Sequence, residues 1–348
     1  VTMSEIAQQC GVSRATVQRA LSGRTNVLPD TAARIRTVAA ALGYDPAQQE
    51  TARRLAYHQQ GKTPTNYVLA YFIPQTSSEP YYMRVFNGII DVLGPAGYDL
   101  LLISALHRTT DAIPPSIAHG HVDGAIFNNV LQLPLLHQLR ETPTFRGRPM
   151  LSLFLPTTLC PAVLIDERGG AYTATSHLLE LGHRRILEFW GSAQDNYFAL
   201  QRSAGCRQAC EDRGLNPPDV LFSFPPIHPS PDIEARYTVP LLQALEQDPS
   251  ITAVLAPNDA AALPLIRTLR AQGYRLPEDM SLVGFDDIRR WDNDMGVNQL
   301  TTIHVPLEEM GRQAAEYMLA RLQGQTTRDY SVTLPTHLVV RASTAPPR

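Results

Sequence analysis

Lysine occurs once in this chain of 348 residues, at Lys62, so positive charge rests almost wholly on arginine. Guanidinium suits bidentate contacts to phosphate, although so uniform a bias reflects genomic base composition more than function. Cysteine is nearly as sparse. Cys10, Cys160, Cys206 and Cys210 cannot form a disulfide framework in a chain this long. Cys206 and Cys210 share a helix face at i, i+4, but no second Cys/His pair stands at ligand spacing, so buried thiols are expected and no metal site. No apolar run is long enough to cross a bilayer, and no signal-peptide-like stretch stands near the start, so a cytoplasmic protein with no membrane partner is expected. Also missing are a Gly-x-Ser-x-Gly elbow, a His-Glu-x-x-His pair and a complete phosphate loop. The nearest approach, residues 56–63 ending Gly61-Lys62-Thr63, has Ala56 for the first glycine, a polar helical run before it and Pro64 with a strand after it. These absences favour a protein that is not an enzyme and needs no cofactor.

What the chain does have begins at its first residues. Thr2-Met3-Ser4-Glu5 has the spacing of a capping box, which starts a helix at about Met3. Gly11 can take the positive φ that ends this helix, and Ser13 is a ready N-cap for the next. Ile6, Ala7, Val12, Val17 and Leu21 then share an inner face. Gly23 stops the second helix, and Pro29, suited to a first turn, opens a third that carries Ile35, Val38 and Leu42 inward before Gly43. Helix, glycine turn, helix with outward arginines is the pattern of a helix-turn-helix reading head.

Charge supports a polyanion partner at this end. Through Lys62 eight basic side chains (Arg14, Arg19, Arg24, Arg34, Arg36, Arg53, Arg54, Lys62) face four acidic ones (Glu5, Asp30, Asp45, Glu50), a net +4 in a chain whose total is -3. Residues 46–63 have good helix formers and few apolar anchors, as expected of a linker helix stable only against a partner. Beyond it short apolar strands (67–73, 99–103, 125–127, 150–154, 163–165, 185–190, 252–255, 281–285) alternate with helices (81–93, 171–181, 201–213, 260–272). That alternation means parallel sheets covered on both faces, in two series and so two lobes. Ligands of such sheets sit beyond the carboxyl ends of the strands.

Along nearly its whole length the chain resembles the LacI/GalR transcriptional repressors. The motifs that carry the resemblance are residues 1–7, Gly11-Val12-Ser13, Thr16-Val17, Leu21-Ser22 and Gly43-Tyr44-Asp45-Pro46 in the head. In the body they are Val122-Asp123-Gly124, residues 177–186, Arg202 with Gly205, Asn258-Asp259, residues 283–287, Leu300-Thr301-Thr302, Met310-Gly311 and Leu334-Pro335-Thr336. The resemblance implies an N-terminal all-α helix-turn-helix head plus an α/β core of two doubly wound parallel-sheet lobes, like a periplasmic binding protein. It divides the chain into a DNA-binding domain at 1–45, a hinge at 46–63 and an effector-binding and dimerisation core at 64–348. The N-lobe is expected at about 64–164 and 295–325, the C-lobe at about 165–294 and 326–348.

By position, the resemblance implies that Arg14, Ala15 and Arg19 read bases of double-stranded DNA. Ser13, Thr16 and Asn26 would contact phosphate, and Leu55 would wedge into the minor groove. Arginine is the commonest bidentate partner of guanine, which agrees for Arg19. Two departures stand out: Leu28 replaces the usual serine, so an N-cap is lost, and about two extra residues lie between Pro46 and Ala52. In the core the resemblance implies effector contacts from Tyr81, Tyr82, Asn128, Asp166, Arg202, Asn258 and Asp286. Arg202 lies near a helix start, where the macrodipole disfavours a cation, so something should compensate it. Asn258 could serve only as an N-cap, Asp286 only as a turn residue, and Glu167 replaces the usual asparagine after Asp166. His183 beside Arg184 and Arg185 reads as capping a helix end. Aromatic plates opposite Arg, Asp and Asn suit a sugar, the expected effector, and nearly as well a nucleobase; an effector-independent regulator is the remaining alternative. A cytoplasmic, nucleoid-associated homodimer on a near-palindromic operator is expected, since no leucine-heptad tail follows residue 341.

Overall fold

The computed structural model describes residues 2–21, 27–44, 65–74, 80–104, 112–129, 133–190, 196–223, 233–329 and 331–348. Contacts divide the chain into two compact units, Val1–Asn66 and Tyr67–Arg348. Asn26, Leu55, the Gly61-Lys62-Thr63 loop and the expected hinge at 46–63 lie outside the described residues.

Among the described residues three helices form the head: α1 (Met3–Cys10), α2 (Arg14–Leu21) and α3 (Pro29–Ala41). The capping box is formed in both directions, with Glu5 N–H donating to Thr2 Oγ1 at 3.3 Å and Thr2 N–H to Glu5 Oε2 at 2.8 Å. Gly11 takes φ 61° and ends α1 in the left-handed region, where a side chain would be strained. Thr16 N–H donates to Ser13 Oγ at 3.1 Å, the cap expected for α2. Leu28 gives α3 no side-chain cap and is 75% exposed, so the missing serine costs about 1 kcal/mol. Ile6, Ala7, Cys10, Val17, Ala20, Ile35, Ala39 and Tyr44 form the buried core, with Val12, Leu21, Val38 and Leu42 packed around it. Arg34 and Arg36 donate to the carbonyls of Cys10 and Ala20, at 3.1 and 3.4 Å. Two basic side chains therefore serve the C-terminal ends of α1 and α2, whose dipoles favour them.

The body begins with β1 (Val68–Ile73), α4 (Pro80–Leu93), β2 (Asp99–Ser104), α5 (Pro115–Ala118), β3 (Gly124–Asn128), α6 (Leu133–Glu141), β4 (Met150–Leu153) and β5 (Ala162–Ile165). It continues through α7 (Glu167–Glu180), β6 (Ile186–Glu188), α8 (Tyr197–Glu211), α9 (Pro217–Val220), β7 (Leu221–Ser223), α10 (Ile233–Gln247) and β8 (Ala253–Leu255). The last elements are α11 (Asp259–Ala271), β9 (Ser281–Asp286), β10 (Thr301–His304), α12 (Leu307–Leu322), β11 (Val332–Leu334) and β12 (His337–Val339). Two six-stranded sheets result, in the orders β11-β5-β4-β3-β1-β2 and β12-β10-β9-β8-β6-β7. Among the described residues every pairing between these strands is parallel except β10 with β12. The central strands β1, β3 and β9 are buried nearly throughout because helices cover both faces, which is why they read as apolar runs rather than alternating ones.

The exchange points between lobes differ from the expected boundaries at 295 and 325. β10 pairs with β9 in the second sheet and β11 with β5 in the first, so the chain crosses after Ile165, after His304 and after Leu334. Strand pairing decides this, between residues 18 apart for β9 with β10 (Val283 with Thr301) and 169 apart for β5 with β11 (Val163 with Val332). Two crossings are bonded together: Asp166 N–H donates to Leu334 O at 2.9 Å and Thr336 Oγ1 to Asp166 O at 3.2 Å. His183 closes the end of α7 with its backbone N–H, which donates to Leu178 O at 3.1 Å, rather than with its side chain. It is buried, with Nδ1 2.8 Å from Thr252 Oγ1 and Nε2 2.9 Å from Ala345 O, and it anchors the C-terminal segment to the second sheet.

Candidate ligand pocket and nucleic-acid interface

Parallel strands place their carboxyl ends along one edge of each sheet, and there a cleft of about 360 Å³ opens between the lobes. The first lobe supplies Tyr81 and Tyr82 from the start of α4 and Asn129 after β3. The second lobe supplies Trp190 after β6, Arg202 on α8, Pro257 and Asn258 after β8 and Asp286 at the end of β9, and Glu167 stands at the crossing between them.

Arg202 is the best-defined group. Its Nε donates to Glu167 Oε2 at 2.6 Å and its Nη1 to Pro257 O at 2.6 Å. The guanidinium carbon sits 3.6 Å from the ring centre of Phe285 and 5.3 Å from that of Trp190. Burial alone would lower the Arg202 pKa, but the Glu167 and Asp286 carboxylates outweigh it and raise the pKa further. The compensation that a cation near a helix start requires is therefore Glu167. Gly205, one turn along α8, makes this reach possible: a Cβ there would stand 2.2 Å from Arg168 O, so α8 could not lie so close to α7.

Asp286 ends β9 at φ 101° and Asp287 follows at φ 57°. Two consecutive non-glycine residues at positive φ cost roughly 1–3 kcal/mol each and persist only where their surroundings hold them. Here the surroundings are Asp259, whose Oδ2 accepts Ile288 N–H at 2.8 Å, and Arg341, whose Nη2 donates to Asp287 Oδ1 at 2.8 Å. The turn sets the Asp286 carboxyl beside the cleft. Burial pushes that carboxyl well above its usual range, against the opposing pull of Arg202.

Asp259 is wholly buried and also accepts from Thr302 Oγ1 at 2.6 Å. Burial raises its pKa to about 6, with the Thr302 and backbone donors opposing. The sign follows from linkage: the folded state binds a proton that the unfolded chain, titrating at about 4, has released, so this group's stabilisation is full below about pH 4 and is lost as pH rises to 6. Asp259→Asn should flatten that part of the stability curve, measured as urea midpoints from pH 4 to 7; an unchanged slope would place the dependence elsewhere.

The seven residues expected in the pocket divide. Tyr81, Tyr82, Arg202, Asn258 and Asp286 line it together. Asn258 also caps α11, its Oδ1 accepting Ala261 N–H at 2.8 Å. Asn128 does not line it: the two-residue period of β3 turns its side chain to the face of Ile126 and Tyr71, where it donates to the Tyr71 hydroxyl. Asn129, at φ 52°, takes its place. Asp166 is likewise displaced. Its Oδ1 caps α7 through Gly169 N–H at 2.8 Å, and its neighbour Glu167 lines the cleft. Trp190, Asn196 and Phe198 are among the pocket residues that sequence reading missed; Trp190 shortly after a strand was open to the strand-end rule, whereas Asn196 and Phe198 depend on where α8 begins.

On the head, Arg14 and Ala15 are exposed and Arg19 half-exposed, opposite the buried Val17 and Ala20. Arg19 Nε donates to Ala15 O at 3.1 Å, which holds the side chain along the helix. Ser13 Oγ and Thr16 Oγ1 stand 2.8 Å apart at the N-terminal end of α2, where free backbone N–H groups suit a phosphate.

Residues 2–47 match the family model described as bacterial regulatory proteins, lacI family, and residues 175–344 match the periplasmic binding protein-like domain. The transcriptional regulator CelR of Thermobifida fusca is 30% identical over 98% of this chain and 98% of its own length. A solved CelR–cellobiose complex superposes with a TM-score of 0.67 at 26% identity, covering 99% of each chain. A regulator from Enterococcus faecium with bound ribose gives 0.66 at 27% identity, over 80% of this chain and 99% of that one.

Proposed function

We propose, for a chain that belongs to the lacI family of bacterial regulatory proteins, that a sugar or sugar derivative bound in the cleft between the lobes controls repression of a near-palindromic operator. The chain is a DNA-binding transcriptional regulator. The observation that carries the effector reading is the convergence of Tyr81, Trp190, Arg202, Asn258 and Asp286 on one cleft at the strand ends. Aromatic faces take the apolar faces of a sugar ring, and the polar groups take its hydroxyls. The two relatives with cellobiose and ribose bound support the same class of ligand. Closure of the two lobes on an effector moves their crossings, and effector and operator affinities are then coupled reciprocally.

Arg14, Ala15 and Arg19 choose the operator, while Ser13 and Thr16 position the head on phosphate. Two heads are needed for the two halves of a palindrome, so the working unit is a homodimer. The protein acts by binding rather than by catalysis. Footprinting on DNA upstream of its own gene tests this reading. The expected result is a protected palindrome whose halves lie one helical turn apart, released or strengthened by a sugar; no protection at physiological salt would refute it.

A further inference from the structure

The charge of the cleft says more about its ligand than the aromatic walls do. Arg202 is the one cation among the described residues that line it, and that cation is already committed: Nε is bonded to the Glu167 carboxylate at 2.6 Å and Nη1 to Pro257 O at 2.6 Å. Both partners of the ion pair are buried, with side chains 11% and 3% exposed. Phe285 lies over the guanidinium at 3.6 Å. A second carboxyl, Asp286, borders the same space.

We infer that Glu167 makes this pocket select uncharged polyhydroxylated ligands and reject anionic ones such as sugar acids and sugar phosphates. The inference rests on the effector reading above and names its ligand class. A free buried arginine would capture a carboxylate or phosphate in a bidentate bond, whereas one already matched in charge offers only its remaining N–H groups, which suit a hydroxyl oxygen. An anion entering the cleft would meet the Glu167 carboxylate with no unmatched positive charge on the described walls. In a desolvated site like charges at close range are strongly disfavoured. Glu167 is thus a specificity-determining residue one position from the helix cap where the sequence first drew notice.

Matched pairs test this: cellobiose with cellobionate, glucose with gluconate, and ribose with ribose 5-phosphate, titrated calorimetrically into the full-length wild type, Glu167→Gln and Glu167→Asp. Wild type should prefer the neutral member of any pair it binds by at least about tenfold. Glu167→Gln keeps an acceptor for Arg202 but removes the charge, so the preference should collapse or invert. Glu167→Asp keeps the charge and should keep the preference, which also covers the case in which the glutamine variant fails to fold. Wild-type binding of an anionic member as tight as its neutral partner would overturn the inference, as would an unchanged ratio in folded Glu167→Gln. No binding by either member of every pair would instead overturn the sugar-effector reading on which it stands.

Discussion

Arg202→Ala is expected to abolish the effector response, weakening effector binding by at least about 100-fold, while the ligand-free protein still binds its operator within about threefold of wild type. The asymmetry follows from position: Arg202 and its hydrogen-bond partners Glu167 and Pro257 all belong to the Tyr67–Arg348 unit. The variant has a second consequence. Removing the guanidinium leaves Glu167 buried without its counter-charge and leaves Pro257 O without its donor, and breaking a buried pair by removing one partner costs roughly 3–5 kcal/mol. A lower melting temperature is therefore expected with the loss of response, and the two must be separated. Arg202→Ala combined with Glu167→Gln should recover much of the stability and none of the effector response. Thermal melts, with operator gel shifts in the presence and absence of the effector, read both quantities. A single variant that still responds normally would remove Arg202 from the binding site, and a double variant that regained the response would reduce its role to balancing Glu167.

Arg19→Ala should cost about 1–3 kcal/mol per operator half-site, a tenfold to hundredfold weaker half-site, and should relax the base preference at one symmetric position of the operator. The half-exposed Arg19 lies on the same outer side of α2 as Arg14 and Ala15, and its Nε donates to Ala15 O on its own helix. Head stability should change little, because Ile6, Val17, Ala20 and Ile35 make the core and Arg19 is no part of it. Arg34 and Arg36 provide the contrast. They bond to the ends of α1 and α2, so their replacement should lower head stability rather than alter which base is read. Competition titrations with every single-base operator variant decide the matter. An Arg19→Ala protein that loses affinity equally for all sequences, with a smaller salt dependence, would make Arg19 a phosphate contact instead.

Much of the head was open to local reading because its signals are local. A capping box, a glycine at positive φ and an N-cap serine each act over three or four residues, and each took the form expected. Alternation of strands and helices likewise announced the two parallel sheets; the resemblance pointed to Arg202, and the strand-end rule agreed with it for Asn258 and Asp286. Asn128 and Asn129 show where that rule loses resolution. It finds the end of β3, but the pleat decides which of two adjacent asparagines faces the cleft, and a shift of one residue reverses the answer. Asp166 and Glu167 differ for another reason, since capping α7 occupies the first carboxylate and leaves the second to the pocket.

By itself, then, the sequence determined the three-helix head, the two-lobed α/β class and the edge of each sheet at which a ligand would lie, since all of these follow from spacing and period along the chain. Only the tertiary structure decided that β10 and β11 exchange lobes and that His183 holds the C-terminal segment. It alone also decided that Glu167 neutralises Arg202 across 35 residues. Pairing, burial and charge compensation are properties of groups brought together from distant positions, and their strength depends on a desolvated environment that exists only once the chain has folded.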